Sequence, residues 1–307
     1  MIDAKTDQPL SLGVTQLEAS TKQRSRTFWA RLWRRPRARV GVTLVAIVFL
    51  CAIFAPLLTP YSPIEQFRDG LSQTGTPLPP GGQYLLGTDG LGRDLWTRLV
   101  YGAQVSLLIS IVANVTAALF GTFIGMLAGY YHGIIDTILM RLTDVLLAFP
   151  AILLALALGS VLRPSIPVVM LILVIITWPT LARLVRSQVL TVRERQFVES
   201  ARASGANDGY ILWRHILPHT LTVTVVWTTL SIASAVLIEA SLSYLGVGVP
   251  LPTASWGNII REGNNAYRIA PWLILVPTLA ILVTTFGFNL LGDAIRDALD
   301  PRTSLEN

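Results

Sequence analysis

The residue types that most often do chemistry are few in this chain and badly spaced for it. His215 and His219 stand four apart, the separation that puts two zinc ligands on one face of a helix. Pro218 lies between them and interrupts a helix, and the glutamate of a zinc-protease motif is missing. No metal site is expected, and the pair reads as a satisfied or solvated one. A phosphate-binding loop needs Gly-Lys followed by Ser or Thr, so that backbone amides and an ammonium cradle the phosphates. Lys5 and Lys22 are the two lysines, and neither follows a glycine. Were ATP to drive this protein, another subunit would hydrolyse it. The single cysteine, Cys51, excludes an intramolecular disulfide framework and a multi-cysteine metal site. No catalytic residue is expected, and the chain reads as non-enzymatic.

Polar patterning is richest between Ala182 and His219. Leu181, Val185, Val189 and Val192 recur at helical spacing, with Arg183, Arg186 and Arg193 on another face. In FVESARASGAND, the residues Ser200, Ala201, Ala203 and Ser204 make a slim helical surface able to enter a groove on a partner. Gly205 permits the positive φ of a helix C-terminal turn, and Asn207 or Asp208 can cap the next helix, YILWRH. The pattern predicts a short helix-turn-helix, with Pro218 marking the return to the membrane.

Other polar groups lie beside or within apolar runs. In GTDGLGRD the glycines give tight turns and the charges can pair locally, Asp89 or Asp94 with Arg93. A packed turn bracing the following helix is the preferred reading, and docking of an extracytoplasmic partner is the second. Gly121, Gly125 and Gly129 form consecutive small-x-x-x-small steps, which let helices approach closely where lipid offers no hydrophobic drive. Glu239 follows a charge-free run of 24 residues, a costly position for an acid in a membrane. It is expected to anchor structure by binding backbone amides in SYLGVGVP, or to face an aqueous cavity, with direct contact to a transported substrate as the alternative. Thr220, Thr224, Thr228 and Ser231 form one stripe; it can line a permeation path, or its hydroxyls can bond their own helix carbonyls. Arg141 and Asp144 are three apart, as an intrahelical pair would be.

The elements that position these residues are membrane helices. Of 307 residues, 52% are hydrophobic and 14% charged, with mean hydropathy +0.57. Soluble domains carry roughly 25% charged residues, so an ordinary soluble enzyme, a disordered tail protein and a nucleic-acid-binding module are excluded. A spanning helix needs about 20 apolar residues, and charge-free intervals predict six: 40–58, about 104–130, 145–162, 166–182, 220–240 and 269–291. Their backbones must be satisfied internally, which makes the fold an all-α bundle. The expected organisation is a basic tail 1–39, a first span, an extracytoplasmic loop 59–101, a core 102–292 with a cytoplasmic loop 183–219, and a tail 293–307. Lys and Arg number 18 on one side and 6 on the other, which predicts both termini in the cytoplasm. The first span reads as a retained anchor. The basic stretch Arg24 to Arg39, with Phe28, Trp29, Leu32 and Trp33, is expected along the inner membrane surface.

With those elements placed, the loop resembles the EAA loop of type I ABC importer permeases: Glu199, Ser200, Ala201, then Gly205, then Ile216, Leu217, Pro218. Serine replaces the first alanine of that motif, a small-for-small change. The segment YLLGTDGLGRDLWTRL resembles the LGTD-x-x-GRD signature of the peptide-importer branch and its C-type subunit, on Leu86, Gly87, Thr88, Asp89, Gly92, Arg93 and Asp94. Further stretches, GYYHGIIDTILMRLTDVLLAFP, IEASLSYLGVGVPLPTASWGNII and FNLLGDAIRDALDPR, extend the resemblance from about Tyr61 to Arg302. Gln104, His132 and Thr278 depart from it, which bears on substrate subtype. The resemblance implies a type I permease bundle whose coupling helix docks in an ATPase cleft, with Glu199 as the acidic contact. It further implies a paralogous permease, two ABC ATPase subunits using ATP and Mg2+, an extracytoplasmic solute-binding protein and a di- or oligopeptide substrate, in a prokaryotic inner membrane. Nickel chelates, glutathione or oligosaccharides are the substrate alternatives. A secondary carrier would need an inverted repeat that the sequence does not display, and a scaffold without transport would not need the loop.

Overall fold

A computed structural model describes residue 33 and residues 35–299. The expectation for Arg24 to Arg39 therefore falls mostly outside the described residues, as does that for the tail beyond Leu299. Helix α1 (Pro36–Ile53) starts from an extended Arg35 with proline in its first turn, and a short α2 (Ala55–Leu58) follows. The segment 59–94 is a folded loop of turns and isolated bridges. Helix α3 (Leu95–Tyr131) is capped by Asp94, whose side chain accepts from the Thr97 amide. At 37 residues it is about 55 Å long and exceeds a hydrocarbon core of roughly 30 Å.

After a two-residue turn come α4 (Ile134–Leu147) and α5 (Ala151–Val161), bent by 87° to each other. This corrects the straight third span expected over 145–162. The apolar run does not reveal that Pro150, which has no amide proton, stops the ladder: the Ala148 amide bonds Asp144 and the Leu154 amide bonds the Pro150 carbonyl, with nothing helical between. Nor does Asp144 pair with Arg141. It accepts from Arg183 at 2.6 Å, because α4 packs alongside the next long helix, while Arg141 is exposed.

Helix α6 (Ile166–Val192) is followed by α7 (Gln196–Ala203) and α8 (Asp208–Ile211). A π-helical turn, Leu212–Ile216, then joins α8 to α9 (Leu217–Tyr244) without a break. Pro218 thus does not interrupt a helix as its type suggests. It sits in the first turn of α9, where the widened register absorbs its missing donor. A loop carrying α10 (Trp256–Gly263) leads to α11 (Trp272–Leu299). Five helices among the described residues are long and apolar enough to cross a membrane, and α4 with α5 makes a bent sixth.

Helices α3 and α6 run parallel and pack along the Gly121, Gly125, Gly129 row. A Cβ on these glycines would lie 2.8 Å from the Trp178 carbonyl oxygen, 2.5 Å from that of Ala182 and 2.7 Å from Val189 Cβ. Only hydrogen fits at these crossings. One apolar core joins Leu95, Leu107, Trp256, Ile259, Leu273 and Phe288 at the end near α10. Another joins Val185, Val189, Val198, Ile211 and Ile216 beneath α7.

Candidate functional site

The α7 segment stands on a stalk. Val185, Val189 and Val192 on α6 are buried to the end of the helix, and Arg195 then extends to cap α7, its carbonyl accepting from the Val198 and Glu199 amides. Val198 is the anchor of α7, wholly buried, and Ala201 is half-buried against the same cluster. Glu199 and Ser200 are exposed. Glu199 lies in the first turn, where unsatisfied amides favour negative charge. At the other end the Gly205 amide bonds Arg202 and the Ala206 amide bonds Ala201, a Schellman closure with Gly205 at φ +81°. Asn207 accepts from the Tyr210 amide at 2.7 Å and so caps α8. Ile216 is buried, Leu217 half-buried and Pro218 exposed. The motif thus divides into a presented pair, Glu199 and Ser200, and a base.

Three ties missed by sequence reasoning fix that base. Tyr130, at the end of α3, donates to Asp208 at 2.7 Å, and Arg202 lies 5.9 Å above its ring. Arg193 bonds the Gly129 carbonyl at 3.3 Å and the His132 ring at 2.5 Å. Phe197 packs against His215 and His219, with centroids 6.0 and 5.2 Å away. The histidines are aromatic packing partners here. Tyr130 and Asp208 are 78 residues apart, so no local periodicity pairs them.

At the opposite end of the bundle the GTDGLGRD turn is buried except at its tip, where Gly90 and Leu91 are exposed. Thr88 donates to the Gly70 carbonyl at 2.6 Å and accepts from the Leu78 amide at 2.8 Å. A side chain on Gly87 would meet the Leu78 carbonyl oxygen at 2.4 Å. Gly92 holds φ +74° at the tightest part of the turn. Arg93 donates to Asp89 at 2.7 Å and forms an ion pair with Glu262 at 3.0 Å. Arg98, wholly buried, also bonds Asp89 and reaches Glu262 at 2.6 Å. Asp94 is spent on capping α3 through the Thr97 amide and hydroxyl at 2.7 and 2.6 Å. Two arginines and two acids thereby clasp the turn to α3 and α10. Arg98 and Glu262 were not singled out from sequence, since a partner 164 positions away leaves no spacing signal. Nearby, burial and then the hydrogen bond to Asp69 push the Tyr84 hydroxyl up to about 12.

Within the bundle Glu239 is fully buried. Its Oε1 accepts from Ser243 at 2.8 Å, and Ser243 Oγ accepts from the Val249 amide at 3.1 Å. The carboxyl therefore supports the SYLGVGVP turn through Ser243, not by direct contact with its amides. Thr220 and Thr228 donate to the Leu217 and Thr224 carbonyls at 2.9 and 2.7 Å. Thr224 meets Thr122 at 3.0 Å beside a mostly apolar cavity of about 220 Å³ also lined by Leu119, Phe123, Met126 and Trp213. Ser231 is half-buried.

The family described as binding-protein-dependent transport system inner membrane component matches residues 121–305. The N-terminal TM domain of oligopeptide transport permease C matches residues 24–80. A putative peptide transport system permease protein of Brucella suis is 44% identical over 276 residues, which cover 90% of this chain and 91% of that protein. The dipeptide transport system permease protein of Alkalihalophilus pseudofirmus is 39% identical, covering 90% of each chain. The glutathione transport system permease protein of Escherichia coli is 43% identical, with 90% and 91% covered. Among solved structures, an inward-facing conformation of the MetNI methionine ABC transporter has a TM-score of 0.54 at 17% identity, over 67% of this chain and 98% of that one. That likeness is one of fold.

Proposed function

Because the chain belongs to the family of binding-protein-dependent transport system inner membrane components, we propose that it is a permease subunit of an ATP-driven importer of di- or oligopeptides. The chain is a multi-pass, non-catalytic membrane subunit. In this reading a paralogous permease completes the path and an extracytoplasmic solute-binding protein delivers the substrate. Two ATPase subunits, using ATP and Mg2+, sit beneath α7. The arginine imbalance supports a cytoplasmic position for both termini.

The observation that carries the reading is the seating of α7. Glu199 and Ser200 are presented to solvent on a helix nailed down by the buried Val198, with Arg202 of that helix over the Tyr130 ring and the following α8 tied by Tyr130 to the end of α3. A partner that grips this helix moves the stalk. ATP binding shifts the bundle between inward- and outward-facing states only to the extent that it binds one state more tightly. Glu199 is the acidic contact to the ATPase, and the Asp89, Arg93, Arg98, Glu262 clasp holds the outer platform rigid while the inner end moves.

Glu199→Lys is the test. The variant assembles in the membrane and loses substrate-stimulated ATPase activity; stimulation at the unmodified level in assembled complexes sinks the coupling role. A second reading, glutathione as the substrate, draws on the 43% identity to a permease named for it. Uptake of labelled dialanine, trialanine and glutathione by cells with and without this chain separates the two.

A further inference from the structure

Two acids on α4 face two arginines on the stalk of α6. Asp136 takes a bidentate pair from Arg186 at 2.5 and 2.6 Å, and Asp144 accepts from Arg183 at 2.6 Å. The inner rung is partly buried and the outer one exposed. These rungs lie on the part of α6 that leads directly into α7, and α3 packs against the same stretch of the stalk at Gly125 and Gly129. Immediately after Asp144 the helical bonding stops at Ala148 and resumes at Leu154, across Pro150, with the 87° bend between. Beyond the bend, α5 belongs to the other end of the bundle: Ala155 packs in the cluster of Val169 and Ile172 at the start of α6, and Gly159 abuts Val247.

We propose that Asp136 and Asp144 are positioning residues that splint α4 to the stalk of the coupling loop, so that α4 and α7 move as one body while the chain pivots between Ala148 and Pro150. The inference rests on the coupling role assigned to α7. Bidentate geometry fixes orientation as well as distance, which a single apolar contact would not do. A break in backbone hydrogen bonding is where a bend changes without rupturing a helix. The splint accordingly sends displacement of α7 into the inner half of the bent span and spares its outer half.

The test uses the complete transporter in proteoliposomes with Cys51→Ser as background, trialanine as probe, and ATPase stimulation and uptake as readouts. Asp136→Asn lowers stimulation about tenfold, the scale of one lost charge-assisted bond, in complexes that still assemble. The exchange Asp136→Arg with Arg186→Asp recovers at least about half of it, which ties the loss to this pair and not to either residue alone. Asp136→Cys with Arg186→Cys, bridged by a short bis-methanethiosulfonate, continues to transport, because the two ends do not separate. Unchanged stimulation in Asp136→Asn, or transport abolished by the bridge, overturns the splint. Glu199→Lys in the same background keeps the two ideas apart. Loss in Glu199→Lys with none in Asp136→Asn removes the splint alone, and retained stimulation in Glu199→Lys removes the coupling role itself.

Discussion

The Tyr130 hydroxyl at the end of α3 donates to the Asp208 carboxylate at 2.7 Å, tying the membrane helix with the glycine row to the first residue of α8. Tyr130→Phe keeps the ring beneath Arg202 and removes the bond. A hydrogen bond of this kind contributes about 1 kcal/mol net, so the seat of the loop loosens without unfolding. Hydrogen exchange of the 202–210 amides is expected to speed up severalfold in the variant while that of α3 stays the same; equal rates at both would show that the tie does not hold the loop.

Gly205 closes α7 at φ +81° with open space where a side chain would go. Gly205→Ala therefore meets no clash and carries only the cost of the left-handed conformation, about 1 to 2 kcal/mol. Asparagine tolerates that region better than alanine. Substrate-stimulated ATPase activity is expected to fall in the order glycine, asparagine, alanine. An alanine variant as active as the parent would mean that the turn can relax without disturbing α7.

At Gly125 the problem is space. A Cβ there would sit 2.5 Å from the Ala182 carbonyl oxygen and 2.8 Å from Val185 Cβ, and both neighbours are buried. Gly125→Ala forces α3 and α6 apart at a cost of about 1 to 3 kcal/mol. The same change at Gly133, where nothing lies within 4 Å, lacks that clash although its φ is +66°. Thermal unfolding in detergent is expected to show a clear drop for Gly125→Ala; no drop would place the helices farther apart than they stand here.

What was legible in the sequence was what depends on near neighbours. The spans followed from runs of apolar residues, and the turn at Gly205 with the Asn207 cap followed from residue type at fixed offsets. The glycine row was legible because a four-residue period lies on one helix. Legibility failed where partners are distant. By spacing Asp144 pairs with Arg141, three residues away, whereas its partner is Arg183 on another helix. Pro150 falls inside an apolar run that reads as one continuous span and Pro218 reads as a helix breaker; the structure reverses both, and residue type alone does not decide the outcome, since Pro179 and Pro277 stand inside α6 and α11. Glu262 carried no signal at all, because its meaning comes from Arg93 and Arg98.

The clasp that Glu262 completes gives the most direct energetic test. Arg98 is buried with Asp89 and Glu262 on its guanidinium, and Arg93 touches the same two acids. Removing one arginine leaves two carboxylates to share the other in a site where Asp89 is buried and Glu262 only partly exposed. Arg98→Met is expected to cost about 3 to 5 kcal/mol, the range for breaking a buried ionic network by removing one member. Removing an acid as well relieves part of the imbalance. In the double variant Arg98→Met with Glu262→Gln, the loss should be smaller than the sum of the single losses by more than about 1 kcal/mol. Unfolding of the purified permease pair, followed with protease access to the 59–94 loop, measures all three variants. Losses that simply add would mean that Arg98 and Glu262 act independently, and that Arg98 holds the turn through Asp89 and not through Glu262.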